Sequence, residues 1–510
     1  MSVRLQTVLA VIAGIANACA LAWPASWGPA YGAPSWLLQF GAMLVFCILL
    51  LRANSLLGSV LLGLAFQATS LCVSLAWLQV SMSQYGGMPS LLAWTAVAAL
   101  ALSLGLYGAM AAGFWFLLVR KGVHGRESLM AALWMLSELA RGQWLTGFGW
   151  ASIGYAHVEG PFAVAAPWVG VYGLGALVVW CAASCASLML DRKRFIQPMM
   201  LAIAVGALNG ISPAEFGSAT RTLEVELLQG NIAQDEKFDM QTGVVQALRW
   251  YGHALQAAQA DLVLAPETAI PLLPQQLPAD YWQGWAERME KNPPMRLIGI
   301  PLGNAQTGYT NSVVGFRTPA QTEWYRYDKH HLVPFGEFIP PFFRWFVRLM
   351  HIPLGDFTRG ELAQAPILVQ EESVGPAICF EDLFPEELAA RFREGQSAPT
   401  ILANFSNLAW FGDTTAMYQH LHISRMRSME LARPSLRVSN TGVTAVVDHQ
   451  GKVQSMLPPW TSGVLRATVQ GRSGITPFAW WCARWGQAPL WVLGLTVFGL
   501  ALVQRRLRPQ

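Results

Sequence analysis

The chain has 510 residues, 53% hydrophobic and only 13% charged, with a net charge of +4; soluble domains carry roughly 25% charged residues, so a simple soluble globule is excluded. The charges are unevenly spread: residues 1–213 hold nine basic and four acidic side chains, residues 214–482 hold 21 basic and 26 acidic, and Arg484, Arg505, Arg506 and Arg508 follow. An apolar block of membrane type is thus joined to a polar block, and the net-acidic sign of the polar block argues against a nucleic-acid partner.

A helix crossing ~30 Å of hydrocarbon needs about 20 mainly apolar residues. Such runs lie near 4–23, 34–51, 55–79, 91–119, 128–147, 163–190 and 195–213, and again at 485–504. They predict a polytopic α-helical membrane domain of eight transmembrane helices: seven over 1–213, then the eighth with a basic tail over 483–510. The first run lacks a small-residue cleavage site followed by a polar stretch, and reads as a retained helix. Orientation follows the basic residues. With the N-terminus inside, Arg4, Arg52, the Arg120/Lys121/Arg126 loop, Arg192 to Arg194 and the C-terminal arginines all fall on the cytoplasmic side, while the loops at 24–33 and 80–90 carry no charge. Both termini are then cytoplasmic, and residues 214–482 lie on the outer face, the periplasm of a bacterium. The fifth run contains Glu138 and Arg141, which read as an i,i+3 ion pair rather than a head-group or gating site.

The polar block alternates between two patterns. Short apolar or β-branched runs predict strands at 223–228, 261–265, 296–301, 311–316, 367–370, 374–380, 400–404, 436–439, 443–448 and 464–468. Helical patterns fall at 240–259, 279–291, 382–394 and 415–432, and His449 to Lys452 read as a hairpin turn. The order predicts a layered α/β domain with helices covering sheets. Residues 338–357, FIPPFFRWFVRLMHIPLGDF, break the pattern: two prolines at the start and interspersed arginines in an aromatic run suit an interfacial arm or lid better than a core helix.

Three strings end predicted strands: LAPETAI with Glu267, YDKHHLVPFGEF with Lys329 and Glu337, and GPAICFEDLFP with Cys379 and Glu381. Together they supply a base, a cation and a nucleophile, the set that acyl transfer requires. Cys379 precedes a predicted helix whose N-terminus, with Lys329, would favour thiolate. Glu267 can exchange the proton, and the Lys329 ammonium suits an oxyanion. Five of the seven cysteines, Cys19, Cys47, Cys72, Cys181 and Cys185, lie in apolar runs, which argues against a disulfide framework. There is no HExxH, CxxC, Walker loop, GxGxxG or GxSxG, and His420 and His422 are two residues apart, so neither a metal nor another cofactor is expected.

These strings resemble the Glu-Lys-Cys triad of the nitrilase, or carbon–nitrogen hydrolase, superfamily, and the flanking spans narrow the resemblance to the bacterial apolipoprotein N-acyltransferases. LLQGNIAQDEKF at 227–238, HLVPFGEFIP and NFSNLAWFGD at 404–413 match in order. The resemblance implies a nitrilase-like α-β-β-α sandwich over 214–482, with Glu267 as base, Lys329 as oxyanion partner and Cys379 as nucleophile. It also implies Glu337, Glu381, Phe238 and Phe380 as supporting residues and Trp410 in a substrate-contacting loop. The implied reaction takes an sn-1 acyl chain from a phospholipid, commonly phosphatidylethanolamine, and passes it from a thioester to the α-amino group of a diacylglyceryl-cysteine on an apolipoprotein, in the inner membrane; nothing in the sequence demands more than a monomer. Phe238, Phe380 and Leu408 stand where the family often has Trp, Tyr and Asp. Phe342, Phe343 and Phe346 of the lid are expected to exclude water. Two rivals are a membrane-anchored amidase or nitrilase acting on a small carbon–nitrogen substrate, and an inactive transporter or assembly factor.

Overall fold

The computed structural model describes residues 2–119, 125–191, 206, 216–278, 281–282, 293–319, 321, 323–340 and 356–507. The N-terminal block holds helices α1 (Val3–Leu21), α2 (Trp36–Leu51), α3 (Leu56–Ser74), α4 (Ser90–Val119), α5 (Arg126–Gln143) and α6 (Ala166–Leu190). Ser2, Ser35 and Ser55 cap the first three, each accepting a backbone N–H, the usual remedy for an orphaned first turn.

Among the described residues, five helices are long and apolar enough to cross a membrane: α1, α3, α4, α6 with its leading turn from Ala163, and Ala488–Leu507. α2 is apolar but only 16 residues long. The predicted fifth span is α5, which carries Arg126, Glu127, Glu138 and Arg141 and buries most of its residues; its charges, not its length, separate it from the rest. The predicted span at 195–213 falls almost wholly outside the described residues, as do the lid residues Phe342, Phe343 and Phe346. Glu138 and Arg141 do pair, at 3.6 Å. They also clamp the loop after α5: Arg141 donates to Phe148 O and Ser152 Oγ, and Glu138 accepts Ile153 N–H.

Among the described residues the α/β domain holds twelve strands: β1 (Ala219–Gln229), β2 (Leu262–Ala265), β3 (Met295–Asn304), β4 (Gly308–Phe316), β5 (Tyr325–Asp328), β6 (Ile367–Val369), β7 (Glu372–Ile378), β8 (Ile401–Ser406), β9 (Ser435–Ser439), β10 (Ala445–Val447), β11 (Val453–Met456) and β12 (Gly463–Arg472). They form two six-stranded sheets in the orders β12-β1-β2-β3-β4-β5 and β11-β10-β9-β8-β7-β6. In each, the inner strands are parallel, β1 with β2 and β3, β7 with β8 and β9. Leu223, Val225, Leu264 and Val313 meet Val374, Ile378, Phe405 and Val438 between the sheets. Helix α7 (Gly243–Ala257) covers the first sheet with Val244, Ala247, Tyr251 and Leu255. The second sheet is covered by α8 (Pro385–Ala389), α9 (Ala416–Leu431) and α10 (Pro477–Trp485), with Leu388, Leu431 and Phe478 against Ala377 and Leu402. The layers are therefore helix, sheet, sheet, helix. α11 (Ala488–Leu507) returns to the helical block and packs on α5.

The His449 turn forms as predicted, closed by Asp448 N–H to Lys452 O between β10 and β11. The helix predicted over 382–394 is shorter than expected: Pro385 opens a helix of five residues, preceded by a single tight turn over Cys379–Leu383. Proline is favoured at a first helical position because it has no N–H to leave unpaired.

The helical block and the α/β domain share a core in which Trp77, Trp150, Tyr155 and Tyr172 meet Phe380, Phe384, Ile423 and Met426. Helix α9 is the principal bridge: His422 pairs with Gly32 O, Arg425 with Glu159, and Glu430 with Val171 N–H. The last contact is required by a break in α6, where Gly170 adopts φ +65°. The break leaves the Val171 N–H without a helical partner, and a carboxylate at a helix N-terminus fills it.

Candidate active site

The carboxyl ends of the inner strands face one region, where open α/β sheets usually bind ligands. Glu267 follows β2, Lys329 follows β5 and Cys379 follows β7. Gly299 of β3 lets the Glu267 turn lie against the sheet, since a Cβ there would run into Pro266 O and the Glu267 backbone.

Lys329 is 1% exposed and its ammonium is ringed by carboxylates: Nζ lies 3.3 Å from Glu267 Oε1 and 2.9 Å from Glu337 Oε1. Asn311 Nδ2 donates to both of those oxygens, at 2.7 Å each. The second oxygen of Glu267 accepts the Asn407 N–H at 3.0 Å, and that of Glu337 accepts Val333 N–H at 2.8 Å. Every oxygen of the pair thus has a donor, as buried polar atoms require. Burial works to strip the Lys329 proton, but Glu267 and Glu337 outweigh it and hold the ammonium well above the usual lysine range.

Cys379 keeps partial access to solvent, whereas Glu267 and Lys329 are buried. The helix N-terminus expected just after Cys379 lies farther along the chain, at Pro385. Burial followed by the Glu267 charge pushes the Cys379 thiol above its ordinary range, with Lys329 opposing. A thiol pushed in that direction needs a base to take its proton as it attacks.

Glu381 sits deeper. It is 2% exposed and accepts the Tyr327 hydroxyl at 2.9 Å, the His330 N–H at 2.7 Å and the Ile378 N–H at 2.5 Å. It ties the Lys329 segment to the Cys379 turn. Both neighbouring histidines are structural: His330 Nδ1 donates to Gly360 O, and His331 pairs with Glu387 at 2.8 Å and stacks on Phe384. Phe380 is buried in this aromatic cluster. Phe238 is exposed, and Trp410, also exposed, packs edge-on to Tyr85 of the helical block. Leu408 is fully buried with Met417 and Val443, an apolar environment with no use for a carboxylate.

Four residues to which the sequence assigned no role here also belong to the site: Asn311, Asn407, Lys237 and His420. Lys237 is buried with its Nζ donating to the Glu267 backbone oxygen at 3.2 Å; burial, offset in part by Glu267, lowers it to about 8. His420 Nε2 lies 3.0 Å from the Cys379 oxygen. No group of three or more potential metal ligands occurs among the described residues.

Comparison with known proteins matches residues 225–476 to the carbon–nitrogen hydrolases and residues 18–184 to the apolipoprotein N-acyltransferase N-terminal domain. The chain is 46% identical to a Verminephrobacter eiseniae protein named apolipoprotein N-acyltransferase, over 95% of this chain and 94% of that one. It is 41% identical to the protein of that name from Ralstonia nicotianae, over 99% of this chain and 94% of that one. The corresponding figures for Bordetella bronchiseptica are 37%, 93% and 94%.

Proposed function

The chain belongs to the apolipoprotein N-acyltransferase family, and from that premise we propose that it moves a fatty acyl chain from a phospholipid, through a thioester on Cys379, to an apolipoprotein amine. The chain is an acyltransferase of lipoprotein biosynthesis. In this reading the donor is the sn-1 ester of phosphatidylethanolamine, and the acceptor is the α-amino group of an N-terminal diacylglyceryl-cysteine. The observation that carries it is the Glu267–Lys329–Glu337 cluster beside a partly accessible Cys379.

The chemistry follows from the charges. Cys379 Sγ attacks the ester carbonyl while Glu267 takes the thiol proton, and the Lys329 ammonium faces the developing oxyanion. The C–O bond breaks, Glu267 gives its proton to the departing alkoxide, and lysophospholipid leaves. The amine then attacks the thioester; Glu267 takes a proton from nitrogen and returns it to sulfur as the C–S bond breaks, leaving an amide. Glu337 and Asn311 hold Lys329 and Glu267 in register, because a fixed donor stabilises an oxyanion without reorganising.

We assign residues 1–213 to the membrane domain, 214–482 to the periplasmic catalytic domain and 483–510 to the closing span, with cytoplasmic termini on the basic-residue pattern. The two spans beyond the five long apolar helices and α2 would be α5 and 195–213. One chain supplies every group named, so a monomer suffices. An amidase acting on a small soluble substrate would leave the matched helical block without a role. The test uses full-length protein in vesicles with sn-1-tagged phosphatidylethanolamine and a diacylglyceryl lipopeptide. Label should appear on the lipopeptide N-terminus; label released only as free fatty acid would overturn the reading.

A further inference from the structure

Cys379 has φ +51°, in the left-handed region where a Cβ crowds the backbone. Such a turn persists only where its surroundings hold it. The holding contacts are on the carbonyl of the same residue: Cys379 O accepts Asn404 Nδ2 at 3.2 Å and His420 Nε2 at 3.0 Å. Asn404 belongs to β8, beside the strand that Cys379 follows, and its own Oδ1 accepts the Ser406 hydroxyl, which fixes which end of the amide faces Cys379.

His420 comes from α9 and is fully buried. A carbonyl oxygen only accepts, so Nε2 must carry the ring hydrogen. Burial, with Arg437 nearby, holds the imidazole well below its ordinary range, and among the described residues Nδ1 has no hydrogen-bond partner. Among those residues the ring's one hydrogen bond is to the Cys379 carbonyl.

The far side of the ring belongs to the helical block. Trp150, in the loop after α5, stacks on His420 with centroids 5.6 Å apart and planes 24° apart. Its indole N–H donates to Gln419 Oε1 at 2.8 Å, and that oxygen also accepts the Trp77 indole at 3.1 Å. Gln419 in turn donates to Ser74 O at the end of α3. Thus the residue next to His420 is anchored three times to the helical block.

We propose that His420 is a positioning residue for Cys379, and that Trp150 braces it, so that the left-handed nucleophile turn is set by docking of the helical block on the catalytic domain. The proposal rests on reading Cys379 as the nucleophile. Its chemical content is orientation: the turn aims Sγ at an acyl carbonyl, and a misplacement of about 1 Å costs up to 10²-fold.

The experiment measures acyl-enzyme formation by full-length protein in phosphatidylethanolamine vesicles, in a single turnover. His420→Leu should slow it by about 10-fold or more with KM for lipid unchanged, and His420→Gln, which can place an N–H on the same oxygen, should recover most of the rate. Trp150→Ala should show the same defect and Trp150→Phe little of it. The Trp150→Ala/His420→Leu double variant should be no slower than His420→Leu alone, since both remove one contact. A wild-type rate in His420→Leu, no rescue by His420→Gln, or losses that multiply in the double variant would overturn the proposal. If His420→Leu does not fold, the Trp150 pair decides: equal rates for Ala and Phe overturn it. A wild-type enzyme that forms no adduct on Cys379 overturns the nucleophile assignment instead.

Discussion

In the helical block, close contacts are made by small residues: Gly63 of α3 lies against Gly108 and Ala109 of α4, and Gly105 against Ala68. Its buried polar groups pair largely as neutrals, Asn17 with Ser70 and Gln39, and Gln39 with His157. In the catalytic domain the interior instead holds charge, with Arg296, Arg391, Arg433, Arg437, Lys237 and Lys329 all buried. Helices facing lipid gain little from hydrophobicity against one another, so backbone approach and neutral hydrogen bonds hold them. The buried charges of the catalytic domain rest on specific acceptors: Lys329 on carboxylates, Arg296 and Arg433 on carbonyls, Arg391 on Pro376 O and the Tyr327 hydroxyl, and Arg437 on Val443 O and the Ser424 hydroxyl. Between the two, the face of α9 combines both styles: Gln419 bonds tryptophans while Arg427 pairs with Glu430 at 3.0 Å, fully buried.

The contrast can be broken most severely at the charged cluster. Cys379→Ala and Glu267→Gln should abolish label transfer, and Lys329→Met should cut it roughly 10²–10³-fold, with thermal unfolding in detergent little changed for Cys379→Ala. Next is the junction. Glu430→Leu strands the Arg427 charge and leaves Val171 N–H unpaired, a loss of about 3–5 kcal/mol; unfolding measurements should show it, and Arg427→Met added to Glu430→Leu should recover most of it.

Lys237 gives a pH test. Its folded value, about 8, lies below the ordinary 10.5, so between those values the unfolded chain binds the extra proton. Stability should therefore rise with pH across that window, by up to about 1.4 kcal/mol per unit, and fall back as pH drops through 8. Lys237→Met should lack this rise in unfolding curves taken from pH 8 to 10. The smallest effect is expected in the helical block, where Gly63→Val should cost about 1–3 kcal/mol through overpacking against α4, with transfer activity retained at low temperature.

The same contrast explains what was legible in the sequence. Apolar runs mark the helical block because hydropathy is what a membrane reads, and α5 is the weakest run because its charges are spent inside, on the loop after it. Ten strands follow from β-branched and apolar runs. The two that were missed, β5 and β11, are edge strands; β5 buries only Tyr327, and β11 alternates between half-buried and exposed, so neither carries a core signature. In the site, Glu267, Lys329, Glu337 and Cys379 are visible in short strings. Asn407 and Lys237 lie inside quoted strings that give them no role, because Asn407 acts through its backbone N–H and Lys237 on the backbone oxygen of Glu267. Asn311 could have been suspected as an amide at the start of a buried strand. The helix expected at Cys379 fails for a local reason, Pro385, whose place at the helix start was readable.

The central claim is a thioester on Cys379, and it is tested most directly by incubating the purified full-length protein with sn-1-tagged phosphatidylethanolamine in the absence of acceptor. A hydroxylamine-sensitive acyl adduct should map to the Cys379 peptide and discharge as an amide when a diacylglyceryl lipopeptide is added. No adduct, or a hydroxylamine-sensitive adduct that persists in Cys379→Ser, would contradict the account.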